Sequence, residues 1–204
     1  MEKTVFIHIG KCGGSTVRMV IPHHEEVHLR PVIFSKNDNY FIVIRNPIER
    51  FISAFYYRKL MYRKSVQKRF FEKENIIFSS TNNIYQFTEN LFNYNIEDVK
   101  GVAHIGESIS YYLEPIIDNL NKENVKYIFT THYMDTEIKN VIPNYTPRKL
   151  KDNSENKPKK KLSDLSLKNL NIFLEKDFEM IEKLNDKGLL SQKQYEILSR
   201  RDGW

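Results

Sequence analysis

Thr4-Val5-Phe6-Ile7-His8-Ile9-Gly10-Lys11-Cys12-Gly13-Gly14-Ser15-Thr16 is the stretch on which the reading of this chain turns. Its first six residues are β-branched or aromatic apart from His8, and Gly10 ends the run, which predicts a short strand. Val17 to Ile21, closed by Pro22, predicts a short helix after the glycines. A glycine loop between a buried strand and a helix offers unpaired N–H groups and the positive end of a helix dipole. Glycines let that backbone close around an anion, Ser15 and Thr16 add hydroxyl donors, and Lys11 adds a full charge. The plain alternative is a tight turn with an exposed lysine. Gly13-Gly14-Ser15-Thr16 beside a lysine favours anion binding, with Lys11, Cys12, Gly13, Gly14, Ser15 and Thr16 as the binding set.

Working outward, Tyr40 to Ile44 is a nearly continuous apolar run, the pattern of a strand buried on both faces. Arg45-Asn46-Pro47 ends it, with Asn46 placed to cap a helix, Pro47 at its first position and Glu49 in its first turn. Phe51, Ile52, Phe55 and Tyr56 form a core-facing stripe on that helix. Ile84 to Phe92 and Ser108 to Asn121 read as helical, Val102 to Ile105 as a short strand, and Lys126 to Thr130 as a further strand. A short helix follows around Asp135 to Val141. Residues 146–161 read as a flexible basic loop and 162–200 as C-terminal helices. Within the latter, Leu162 to Leu184 reads as one long amphipathic helix, with Ser163 as N-cap and Gly188 beyond its end. Strands alternating with helices predict an α/β fold with a central, mainly parallel sheet flanked by helices. At 204 residues the chain suits a single domain, 1–204.

Composition narrows the function. One cysteine excludes an intramolecular disulfide framework and a multi-cysteine metal site. No apolar run approaches the roughly 18–20 residues of a membrane span. The net charge of +6 is uneven: residues 58–73 carry +6 and residues 148–161 carry +5, leaving −5 elsewhere. An anionic partner is therefore expected at one basic patch or both.

The loop narrows it further. In nucleotide-triphosphate loops the lysine follows the last glycine, whereas Lys11 precedes Gly13 and Gly14. Arg45 stands at the end of the second long strand, where a nucleotide hydrolase would place an acid to hold Mg²⁺. A cation there suits a second phosphate, so the expected ligand is doubly phosphorylated and held without metal.

Residues 6–16 resemble the 5′-phosphosulfate loop of sulfotransferases that use 3′-phosphoadenosine-5′-phosphosulfate (PAPS), and residues 44–57, Ile44-Arg45-Asn46-Pro47 through Tyr57, resemble their 3′-phosphate motif. The wording is nearest the carbohydrate branch that includes heparan sulfate 2-O-sulfotransferases. Ser110 to Leu113 and the helix from Leu162 look like later segments of that family. The resemblance implies a P-loop nucleotide-hydrolase-like sulfotransferase fold, with PAPS as co-substrate and no metal. It implies that Lys11 stabilises the leaving phosphate, that residues 11–16 hold the 5′-phosphate, and that Arg45 and Ser53 hold the 3′-phosphate. It also implies a general base soon after the first helix. His28 is favoured, with His24, Glu26 and His23 as alternatives. A His–Glu metal site is disfavoured by the irregular spacing.

Other residues take lesser roles. A basic loop closes over the donor in the family, which makes Lys160, with Lys159 and Lys161, a donor-binding candidate. Cys12 reads as a loop filler, open to oxidation because a helix dipole lowers a thiol's pKa. His8 reads as a satisfied core residue, and His104 and His132 carry no pattern. The expected acceptor is a hydroxyl compound, a carbohydrate by resemblance, and a cytoplasmic location is expected from the absence of a signal peptide or anchor. The competing readings are a nucleotide kinase or hydrolase on the same plan, and a non-catalytic nucleic-acid binder using the basic patches.

Overall fold

In the computed structural model of the chain, the residues described are 2–65, 72–81, 83–147 and 161–202. Chain order is β1 (Thr4–His8), α1 (Gly14–Val20), β2 (Glu25–Val27), β3 (Asn39–Ile44), α2 (Pro47–Lys64), α3 (Glu72–Ser80), α4 (Ile84–Glu89), α5 (Ile96–Lys100), α6 (Ile109–Leu113), β4 (Val125–Thr130), α7 (Met134–Val141), α8 (Asp164–Phe173), α9 (Glu175–Asp186) and α10 (Gln192–Leu198). The four strands form one sheet in the order β2-β1-β3-β4, every neighbouring pair parallel. Ile7 of β1 is in register with Val27 on one side and Ile42 on the other. Phe6, Ile7, Ile42, Val43 and Ile44 are fully buried, which is why β1 and β3 read as apolar runs rather than alternations. The fold is therefore a mixed α/β architecture around a parallel sheet.

Strand order places a crevice. From β1 the chain moves to β2 on one side, and from β3 it moves to β4 on the other. The loops leaving the carboxyl ends of β1 and β3 diverge, and ligands of open α/β sheets bind at such a switch point. The loop after β1 is Ile9 to Gly13, and the loop after β3 is Arg45-Asn46. Both stretches singled out in the sequence thus flank the same crevice.

Asn46 fixes the second loop. Its Oδ1 accepts from the Ile48 and Glu49 amides, capping the 18-residue α2. Its Nδ2 donates to the carbonyls of Ile197, Leu198 and Arg200, which ties the C-terminal segment to the same point. One apolar core surrounds the sheet. A second gathers Phe51 and Phe55 of α2, Phe87 of α4 and Leu170 of α8, with the Phe55 and Phe87 rings 5.1 Å apart.

Three sequence expectations are corrected. Residues 162–184 are two helices, not one, because Leu174 leaves helical geometry at φ −99°, ψ 11°. The break lets α8 serve the second core through Leu170 while α9 turns Met180, Ile181 and Leu184 toward the sheet. Val102 to Ile105 is a turn, not a strand: the Ile105 and Gly106 amides donate back to the Val102 carbonyl, and buried Arg50 donates to the carbonyls of His104 and Ile105. Ser108 to Asn121 is helical only in pieces, α6 and a 3₁₀ turn at Ile117–Asn119. Ser163 caps α8, and Gly188, at φ 63°, follows α9 as read from the sequence. Among the described residues no helix is long and apolar enough to cross a membrane.

Candidate functional site

The loop after β1 is shaped by two left-handed residues, Lys11 at φ 70° and Gly13 at φ 83°. Glycine suits the second without strain; lysine holds the first only because the surroundings fix it. Gly14 is required for another reason. A Cβ there would lie 2.0 Å from Cδ2 of His8, so the His8 ring packs directly on the start of α1. Thr131 Oγ1 donates to the Cys12 carbonyl at 3.0 Å, pinning the loop to the end of β4. Ser15 is exposed and Thr16 half-buried.

The loop and α2 meet through a cation on an aromatic face. Lys11 Nζ lies 3.9 Å from the centroid of the Tyr57 ring. Glu49, Ser53 and Tyr57 of α2 recur every four residues and share a helix face, and Arg45 stands just before the helix begins. Arg45 Nε donates to Glu49 Oε2 at 3.0 Å, and Glu49 Oε1 lies 3.3 Å from His132 Nε2. Because Tyr57 underlies Lys11, this face of α2 is turned to the β1 loop, and half-buried Ser53 lies on it between Glu49 and Tyr57. Among the described residues the Arg45 Nη groups make no hydrogen bond.

Beside Lys11 stands a column of three imidazoles. His8 and His28 stack with centroids 4.2 Å apart, and His28 and His104 follow at 5.6 Å. His28 lies one residue past β2 rather than on it. Its Nδ1 is 2.8 Å from the His8 carbonyl oxygen, which can only accept, so Nδ1 carries the hydrogen. In the neutral ring Nε2 then carries the lone pair. Leu29, next in sequence, is left-handed at φ 58° and its amide donates to the Tyr112 hydroxyl.

His8 is buried as expected, but its partner makes it part of the site. Its Nδ1 lies 2.6 Å from Glu26 Oε1, and Arg18 is 3.7 Å from the other carboxylate oxygen. Burial lowers the His8 pKa, outweighing the hydrogen bond from Glu26 that raises it. Burial works to raise Glu26, yet the bond to His8 and the nearby positive groups hold it below the usual carboxylate range. The pair is a neutral imidazole donating to a carboxylate. Among the alternatives for the base, His24 Nδ1 accepts from the Thr4 amide and His23 Nδ1 lies 2.8 Å from the Ile21 carbonyl.

Three expectations change here. Cys12 is fully buried, and burial pushes its thiol up to about 12 despite Arg50 and Arg45 nearby, so it is not the oxidation-prone thiol that the dipole suggested. His104, without pattern in the sequence, is central: it is buried, left-handed at φ 64°, and its ring meets both His28 and Tyr57. No local signal marks it, since Arg50 and the turn at 104–107 place it. Two of the five cations in the described part of the patch at 58–73 are paired, Arg58 with Glu74 and Lys73 with Asp98. Lys159 and Lys160 lie outside the described residues, as does most of the loop 146–161; Lys161 is exposed.

Two surface cavities lie elsewhere. One of about 690 Å³ runs along β4, α7 and α10, and one of about 720 Å³ lies by Asn39 and Asn124 at the strands' amino ends. Neither is lined by Lys11, His28 or Arg45, the residues that converge at the switch point. Among the described residues no group of three or more His, Cys, Asp or Glu is arranged to hold a metal ion. Comparison of the chain with protein-family models, with curated proteins and with solved structures finds no match to any of them.

Proposed function

We propose that this chain is a PAPS-dependent sulfotransferase acting on a hydroxyl acceptor, with a carbohydrate as the acceptor class its resemblance suggests. The contact of Lys11 with Tyr57 supports this most directly, because it brings the β1 loop onto the α2 face that bears Ser53 and Glu49, the partner of Arg45. A donor with a phosphate at each end of its ribose needs two such cationic sites at one crevice. The β1 loop would take the 5′-phosphosulfate, and Arg45 with Ser53 the 3′-phosphate.

Transfer then needs alignment, charge stabilisation and one proton acceptor. The acceptor oxygen forms its bond to sulfur as the bond from sulfur to the bridging oxygen breaks. That electron pair stays on the 5′-phosphate, where the Lys11 ammonium offsets it. The hydroxyl proton passes to Nε2 of His28, whose Nδ1 hydrogen is already engaged by the His8 carbonyl.

The test is transfer of labelled sulfuryl groups from PAPS to a panel of carbohydrate and other hydroxyl acceptors, with product masses read directly. Labelled product with the wild-type protein and none with Lys11→Ala is the expected result. Mg²⁺-dependent turnover of ATP or GTP without any sulfated product would overturn it.

A further inference from the structure

We propose that His104 is a second catalytic histidine of this site, donating a neutral Nε2–H to a non-bridging oxygen of the sulfuryl group in transfer; this rests on the sulfotransferase reading above.

The residue is fixed from several sides. The His104 amide donates to Glu107 Oε2 at 2.5 Å, and its carbonyl accepts from Arg50 Nη1 at 2.6 Å. These bonds hold a non-glycine residue in the left-handed region, where strain of this kind persists only if the surroundings over-determine it. The ring edge meets Tyr57 at 5.3 Å between centroids, and that same Tyr57 ring carries the Lys11 ammonium.

The tautomer follows from the contacts. Nδ1 is buried without a hydrogen-bond partner. It faces Gly10 so closely that a Cβ there would lie 2.5 Å away. Glu107 Oε2 is 3.9 Å from it, beyond hydrogen-bond reach. A hydrogen on Nδ1 would be both crowded and unsatisfied, whereas a lone pair there faces the Gly10 Cα hydrogen as a weak acceptor. The hydrogen belongs on Nε2, the ring nitrogen that is not enclosed.

The charge state follows from the neighbours. Burial, with Lys11, His28, Arg58 and Arg50 around it, lowers His104 to about 3, so the ring stays neutral wherever the protein would work. His28 and His104 therefore present opposite groups from adjacent rings, a lone pair on one Nε2 and a hydrogen on the other. A neutral donor at the sulfuryl oxygens adds stabilisation as charge shifts in the transition state, without further positive charge beside Lys11 and Arg45.

PAPS and its desulfated product, 3′-phosphoadenosine 5′-phosphate (PAP), differ by the sulfuryl group alone, so their binding isolates this contact. His104→Asn suits left-handed backbone and removes only the Nε2 end, while His104→Gln places an amide donor near the Nε2 position. The expected result is that His104→Asn weakens PAPS about tenfold, leaves PAP unchanged and lowers kcat roughly a hundredfold, with His104→Gln recovering much of both. Equal losses for PAPS and PAP, or no loss, would overturn the role of His104 alone. Wild-type protein that binds neither nucleotide would overturn the sulfotransferase reading and this proposal with it. A measurement on the wild type is independent of folding of the variants: ¹⁵N imidazole spectra should show His104 protonated at Nε2, and protonation at Nδ1 would overturn the assignment.

Discussion

The His28 imidazole rests on the His8 ring at 4.2 Å and gives its Nδ1 hydrogen to the His8 carbonyl at 2.8 Å. One residue thus supplies both the platform and the acceptor that fix the other's tautomer. His8 is held in turn by Glu26 on the edge strand and by Gly14 at the start of α1. The orientation of the proposed base is consequently coupled to the loop proposed to bind the donor.

Removing the base should separate catalysis from binding. His28→Ala is expected to lower kcat by about 10²- to 10⁴-fold while PAP affinity stays near wild type. Steady-state kinetics paired with nucleotide titration reads both. Retention of full activity would move the base to another residue.

Gly14 tests the coupling. The Cβ of Gly14→Ala would lie 2.0 Å from the His8 ring, so the ring that bonds Glu26 must shift. A loss of about 1–3 kcal/mol in urea unfolding is expected, the usual range for overpacking. His8→Ala in the same chain removes the clash, so the double variant should be more stable than additivity of the two single changes predicts. Strict additivity would show that the ring and the loop are independent.

Acid should destabilise the protein ahead of general carboxylate titration. The folded-state pKa of His104 is lowered to about 3, far below the 6.5 of an unperturbed histidine. Between those values the unfolded chain binds a proton that the folded chain does not, so stability is full above about 6.5 and falls as pH drops toward 3. The limiting slope for one such group is roughly 1.4 kcal/mol per pH unit. His8, also lowered, acts in the same direction. Urea unfolding at pH 7 and pH 5 should show the loss, and His104→Asn should make it smaller.

What was legible in the sequence was local. The strand before Gly10, the helix capped by Asn46 with Pro47 at its first position, and the caps at Ser163 and Gly188 each follow from contacts within a few residues. What was not legible depends on distant partners. His104 owes its place to Arg50, 54 residues earlier, which occupies the carbonyls of His104 and Ile105 in the turn where a strand was expected. The helix break at Leu174 reflects two separate cores, which the amphipathic pattern from Leu162 to Leu184 does not reveal. Cys12 is a buried loop filler, and only its expected oxidation fails, because exposure of a loop thiol is a tertiary property.

Arg45 and the β1 loop are proposed to hold together a nucleotide with phosphates at both the 3′ and 5′ positions. Isothermal titration of PAP, without added metal, tests it most directly when set beside ADP and adenosine 5′-monophosphate. Tight PAP binding is predicted, at least tenfold stronger than either nucleotide lacking the 3′-phosphate, with that preference lost in Arg45→Ala. Absence of PAP binding, or a preference that survives Arg45→Ala, would contradict it.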